Sequence, residues 1–341
     1  MNDQSQQRPF DDIRNLVEAL PAGDAKAAAT ARDRQSQLIK PPGALARLED
    51  LAVWLAEWKG DPRPKITRPV VTIFAGAHGV AEQGVSAYPS AVNRQMVEAF
   101  ASGGAAISQL CASQSLGLKV FDLALDMPTG DFTAGPALEE KDCAATIAYG
   151  MEAVAGGSDL LCLGEMGIGN TTVAAAIAAG LFGGTGSDWA GRGTGVDDAG
   201  LKRKCEVIDQ GLALHQDRLD DPLEVLARLG GREFAGLAGA IIAARYERVP
   251  VVLDGFPVTA AAAVLFKMNP GAIDHCVLGH VSSERGHQKL ADAMGLEPIL
   301  SLGMRLGEGT GAALAAGVLR AAVDVHNGMA TFEEAGISGP A

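Results

Sequence analysis

The chain has 341 residues, 48% of them hydrophobic, and a formal net charge of −13. That length and apolar content bury a sizeable core, which excludes a structureless polypeptide. The acidic balance argues against nucleic acid or an anionic membrane surface as main partner, since both need clustered Lys and Arg, but leaves an anionic small molecule open where positive groups gather locally.

In chain order, residues 1–7 are polar with no apolar signal core, and the longest apolar stretch, 173–181, is well short of the ~20 residues of a membrane span. A cytoplasmic protein without a membrane span is therefore expected. Up to about residue 65 no strand pattern occurs, while 44–58 carries a helical stripe of Leu45, Leu48, Leu51, Ala52, Leu55 and Ala56. Short runs at 70–74, 118–123, 159–163, 250–254, 273–278 and 298–302 are mostly apolar on both faces, as strands of a covered parallel sheet must be. Helical patterns at 91–116, 198–216, 232–245 and 284–294 supply the crossovers, and 311–327 reads as a final helix. The pattern predicts an α/β fold, a doubly wound, mostly parallel six-stranded sheet with helices on both faces, plus a small helical subdomain from the two termini. The expected division is 1–65 together with 312–341 for that subdomain and 66–311 for the large catalytic domain; terminal helices that only cover a sheet edge are the alternative. The five cysteines show no paired zinc or redox spacing and read as reduced structural residues.

Ligands of an open parallel sheet bind outside the carboxyl ends of its strands. Glycine and polar residues cluster after the predicted strands, at 76–79, Asp122, 164–167, 254–256, 279–284 and 303–309. The segment 164–172 combines Glu165, three glycines and small polar residues, and an alanine-rich helix follows it. Unpartnered N–H groups and the dipole at such a helix start attract an anion. It lacks the Gly-Lys-Ser/Thr ending of a P-loop, and Thr172 stands where a dinucleotide fingerprint needs its third glycine, so a phosphomonoester fits better than ATP or NAD. An ordinary turn with Asn170 as helix cap remains the other reading. In the second glycine-rich segment, 191–195, and the helix after it, Leu201, Cys205, Ile208 and Leu212 form the buried stripe. Lys204 lies on the flank of that stripe, as a phosphate ligand or as part of a solvated basic face. Glu308 stands among glycines, near Met304 and Leu306; apolar neighbours raise a carboxyl toward the range of a general base, though a helix-capping role is as consistent. His78, His280 and His287 have no metal-ligand spacing and read as structural or hydrogen-bonding residues, so no metal site is expected.

The strings Lys40-Pro41-Pro42-Gly43-Ala44-Leu45, His78-Gly79-Val80, Ser86-Ala87-Tyr88-Pro89, Gly230-Gly231 and Asp254-Gly255-Phe256, with 164–172, His280, Ser282, Glu284 and 302–311, occur in one order over about 38–320. In that order they resemble the nicotinate-nucleotide:5,6-dimethylbenzimidazole phosphoribosyltransferases. The sequence departs from the family at Ala77, usually Asp or Asn, and at Gly279, commonly Ser, which leaves the side-chain hydrogen bonds there in question. The resemblance implies transfer of the 5-phosphoribosyl group of nicotinate mononucleotide to 5,6-dimethylbenzimidazole, giving α-ribazole 5′-phosphate and nicotinate with inversion at C1′. It implies Glu308 as general base, and Glu165, Gly167, Gly169, Asn170, Thr171, Thr172, Lys204 and Ser282 as phosphoribosyl-binding residues. Ser86, Tyr88, Gln95, Met304 and Leu306 would form the base pocket. A homodimer acting on these two small molecules without cofactor or metal is expected. The rival readings are a dinucleotide-dependent oxidoreductase and a non-catalytic phosphoribosyl-ligand sensor on a similar sheet.

Overall fold

A computed structural model describes residues 8–339; the polar start at 1–7 lies outside the described residues. The strands β1 (Pro69–Ala75), β2 (Gly117–Asp122), β3 (Leu160–Met166), β4 (Val251–Leu253), β5 (Cys276–His280) and β6 (Pro298–Leu300) form one sheet in the order β2-β1-β3-β4-β5-β6. Every neighbouring pair is parallel, as the doubly apolar strands predicted. Strand order reverses between β1 and β3, which opens a crevice at their carboxyl ends.

Helices α1 (Asp11–Glu18), α2 (Ala25–Gln37) and α3 (Arg47–Lys59) precede the sheet. Then come α4 (Val92–Ser102), α5 (Ala106–Gln114), α6 (Glu140–Gly150), α7 (Asn170–Phe182), the single turn α8 (Gly186–Trp189), α9 (Asp198–His215), α10 (Pro222–Leu229) and α11 (Arg232–Tyr246). The chain continues through α12 (Phe256–Met268), α13 (Arg285–Ala293), α14 (Thr310–Gly328) and a last turn, α15 (Phe332–Ala335). The single helix expected over 91–116 is two, because Gly103, at φ +79°, ends α4 in the left-handed region.

Two further boundaries differ from the sequence pattern. β3 runs to Met166, so Gly164 and Glu165, expected in a loop, are strand residues paired with Ile73 and Phe74 of β1. Hydropathy stops at the glycine, but the parallel ladder with the equally long β1 continues past it. Ile273 belongs to a 3₁₀ turn, and its strand starts at Cys276.

Successive strand residues face opposite cores. Leu161 and Leu163 of β3 pack with α7, α11 and α12, while Leu160 and Cys162 pack with Leu51 and Leu55 of α3, Ile107 of α5 and Ala312, Ala313, Ala315 and Ala316 of α14. Fully burying a leucine contributes roughly 1.5–3 kcal/mol, so Leu51 and Leu55 alone fasten α3 to the sheet firmly. Arg34 of α2 donates to the carbonyls of His326 (2.9 Å) and Met329 (3.0 Å), and Leu38 pairs with Thr331, so the terminal segments meet. Among the described residues no helix is long and apolar enough to cross a membrane.

Candidate active site

A cavity of about 460 Å³ opens at the carboxyl ends of β3, β4 and β5. Among the described residues three carboxyl groups line it: Glu165 at the end of β3, Glu284 just before α13, and Glu308 in the loop between β6 and α14; Glu165 and Glu308 are joined through the backbone. Gly307, Glu308 and Gly309 all have positive φ, of +82°, +61° and +77°. Two glycines make such a run accessible, but Glu308 occupies a region that non-glycine residues rarely adopt. The Glu308 N–H donates to the Glu165 carbonyl at 3.2 Å, and the Gly309 N–H to Asp254 Oδ2 at 3.1 Å, so backbone bonds to two strand ends hold the turn.

Environment separates the Glu165 and Glu308 carboxyls. Burial, reinforced by Asp254, pushes Glu308 up to about 7. Glu165 is raised well above the usual carboxylate range by burial and by Asp254, Glu233 and Glu308, although the Asn170 amide donates to it. Burial and its acidic neighbours thus bias Glu165 toward its protonated form, while Glu308 is poised between its two forms near neutral pH.

The glycine-rich turn is less open than the sequence suggested. The Ile168 N–H is taken by Asn93 Oδ1 (2.8 Å), Asn170 N–H by the Gly167 carbonyl (3.0 Å) and Thr172 N–H by that of Gly169 (2.9 Å). Gly169, at φ +95°, is the residue preceding α7, and Asn170 lies inside the helix with its side chain on Glu165 rather than capping. Positive charge comes from behind the turn, where buried Lys204 on α9 donates from Nζ to Thr171 Oγ1 at 2.8 Å. Burial lowers its ammonium to about 8 against the opposing pull of Glu284. A methyl group added at Gly193 would come within 2.5 Å of Thr171 Oγ1 and 2.9 Å of Lys204 Nζ, so only a glycine packs against this pair. Arg305 Nη1 ties the same segment down through the Gly193 carbonyl at 2.9 Å.

Glu308, Glu165, Gly167, Asn170, Thr171, Ser282, Tyr88 and Leu306 all line the cavity; Gly169, Thr172, Lys204, Ser86, Gln95 and Met304 do not. Thr172 is fully buried, and the Ser86 hydroxyl pairs with Thr194 Oγ1 at 3.1 Å. Met304 uses its carbonyl to accept the Ser283 N–H. Gln95 points outward on α4, whose Val92 and Met96 reach the cavity instead; their four-residue apolar spacing was the available signal. The Ser282 hydroxyl is engaged by His287 Nδ1 at 3.0 Å, and His287, lowered to about 3 by burial, is neutral and also contacts Thr259 Oγ1. His280, Phe256 and Arg305 line the cavity without having been selected as binding residues. His78 pairs with Glu233, both fully enclosed, next to Gly167 and Gly231, which have no space for side chains there. At the two departures from the family pattern, buried Ala77 uses its carbonyl for the Thr129 N–H, and a Cβ on Gly279 would lie 3.0 Å from Ala312 Cα. Among the described residues no three His, Cys, Asp or Glu side chains are grouped to hold a metal ion.

A family model described as Phosphoribosyltransferase matches residues 20–337. The nicotinate-nucleotide–dimethylbenzimidazole phosphoribosyltransferase of Sinorhizobium medicae (strain WSM419) is 62% identical over 330 residues, covering 97% of both chains. The enzyme of that name from Rhizobium etli (strain CIAT 652) is 61% identical, over 97% of this chain and 98% of its own. A crystal structure of CobT from Thermus thermophilus superposes with a TM-score of 0.88 at 42% identity, over 92% of this chain and all of the other. Identity at this level over nearly the whole length, on the same fold, establishes that the chain belongs to the nicotinate-nucleotide–dimethylbenzimidazole phosphoribosyltransferase family.

Proposed function

We propose that the protein transfers the 5-phosphoribosyl group of nicotinate mononucleotide to 5,6-dimethylbenzimidazole, with inversion at C1′, and that Glu308 is its general base. The observation that carries this reading is the placement of Glu308, poised near neutrality, in one cavity with Thr171, behind which stands the Lys204 ammonium. The phosphate would sit against Gly167, Thr171 and the Lys204 charge, at the start of α7 where the helix dipole favours an anion. The base would lie toward Tyr88, Val92, Met96 and Leu306, an apolar wall with few polar groups, which discriminates weakly among benzimidazole analogues.

In the transfer, one ring nitrogen of dimethylbenzimidazole donates its electron pair to C1′ as the bond from C1′ to the nicotinate nitrogen breaks. That bonding pair stays with nicotinate and neutralises its cationic ring, so the leaving group takes no proton. The proton on the other benzimidazole nitrogen goes to Glu308 and then to solvent. Holding the two rings in line contributes much of the rate in a two-substrate site, and Glu165, biased toward its protonated form by burial and acidic neighbours, lines the same cavity.

Incubation with both substrates should release nicotinate and form α-ribazole 5′-phosphate. Binding without turnover would indicate a sensor, and a spectral change with NAD or NADP an oxidoreductase. We further propose a homodimer; sedimentation at the monomer mass refutes it. A cytoplasmic location agrees with five free cysteines.

A further inference from the structure

Asp254, directly after β4, is fully buried and does not line the cavity, so it has no route to either substrate. Its carboxylate nevertheless accepts three backbone N–H groups from the turn that follows Glu308. Gly309 donates to Oδ2 at 3.1 Å, and Gly311 and Ala312 to Oδ1 at 2.7 and 3.0 Å. These are the donors that the start of a helix leaves without intrahelical partners. A Ser, Thr, Asp or Asn at the cap position usually accepts them. In α14 that position is Gly309, which has no side chain, and the acceptor comes from another strand.

We infer that Asp254 is a positioning residue for phosphoribosyl transfer: it caps α14 from the end of β4, and so fixes both the direction of the Glu308 carboxyl and the negative charge it faces. The inference rests on Glu308 being the base. The turn has little freedom of its own, since Glu308 is held at φ +61° and Gly309 packs onto Gly164 of β3, where an added Cβ would lie 2.4 Å from Gly309 N. Asp254 is also, after burial, the cause that raises the Glu308 carboxyl. The other titratable or charged groups around the cavity are Glu165 from β3, His280 and Glu284 from β5 and beyond, Arg305 on the loop of Glu308 itself, and Tyr88. His280 Nε2 lies 3.5 Å from Asp254 Oδ1 without hydrogen-bond geometry, so it does not compete for the lone pairs that hold the turn.

The test is the pH profile of kcat/KM for the native protein, Asp254→Asn, Asp254→Ser and Glu308→Gln, with nucleotide affinity measured by calorimetry. In Asp254→Asn one backbone N–H faces an amide donor and the turn loosens. We expect kcat to fall about 10- to 100-fold with nucleotide affinity within about threefold of native. Removing a negative neighbour lets Glu308 ionise more easily, so the acidic limb should move down by about half to one pH unit. Asp254→Ser keeps a small acceptor without the charge, and should regain part of kcat while showing the same shift. A structural role alone lowers stability and rate but leaves the limb in place. An unmoved limb, a loss confined to nucleotide KM, or failure of both variants to fold overturns the inference. If Glu308→Gln keeps native turnover, the general-base reading fails. If Glu308→Gln loses turnover while the Asp254→Asn limb stands still, only the role of Asp254 falls.

Discussion

Glu308→Gln tests the site most directly, because it predicts opposite effects on rate and on stability. Burial and Asp254 raise the carboxyl from 4.5 to about 7. At about 1.4 kcal/mol per unit this corresponds to about 3 kcal/mol of unfavourable ionisation in the folded state, reduced to roughly 2 kcal/mol because the open cavity brings water to the group. The sign follows from the raised value. The folded protein holds this proton more tightly than the unfolded chain, so the stability is fully present below about pH 4.5 and is lost as pH rises through about 7. Gln carries no charge to lose. The variant should therefore be more stable than native by roughly 2 kcal/mol at pH 8 and about equal to it at pH 4.5, while turnover drops about 10²- to 10⁴-fold with nucleotide binding kept. Thermal unfolding at both pH values, set beside a coupled nicotinate-release assay, measures the two effects. Near-native turnover removes Glu308 as the base. Lost turnover without any stabilisation at pH 8 refutes the account of its electrostatics.

Lys204→Ala should weaken binding of nicotinate mononucleotide much more than that of dimethylbenzimidazole, and calorimetry showing equal effects argues against a phosphate role. For the free enzyme, kcat/KM should rise through about pH 7 as Glu308 ionises and fall above about pH 8 as Lys204 loses its proton; a flat profile from 6 to 9 contradicts both assignments. Gly164→Ala drives a methyl group to 2.4 Å from Gly309 N and 2.7 Å from Glu308 C, backbone atoms that cannot rotate aside. It should cost about 1–3 kcal/mol of stability and displace Glu308, lowering turnover about 100-fold. Native turnover in that variant shows that the turn tolerates the shift.

Much of the fold was legible in local pattern. The six short runs apolar on both faces required a parallel sheet covered on both sides, and glycine-polar clusters after them marked the rim where Glu165, Asn170, Ser282 and Glu308 lie. What escaped the sequence depended on partners far along the chain. The sequence marked Asp254 only as a rim residue and part of a family string; its capping of a helix more than fifty residues later was not legible, because that contact exists only once β4 and α14 are adjacent. Glu233 behind His78 is of the same kind. The turn after β3 looked like a free set of donors, yet Asn93 and the turn's own carbonyls take three of them, and the positive charge beside it is that of Lys204, far along the chain. The register of Val92 and Met96 on α4, rather than Gln95, was readable in principle, but only tertiary packing shows which helix face meets the cavity. Hydrophobic periodicity is local and determines which elements form and which faces they bury. Hydrogen-bond saturation and the separation of two carboxyl groups are set by neighbours distant in sequence, and only the tertiary structure decides those.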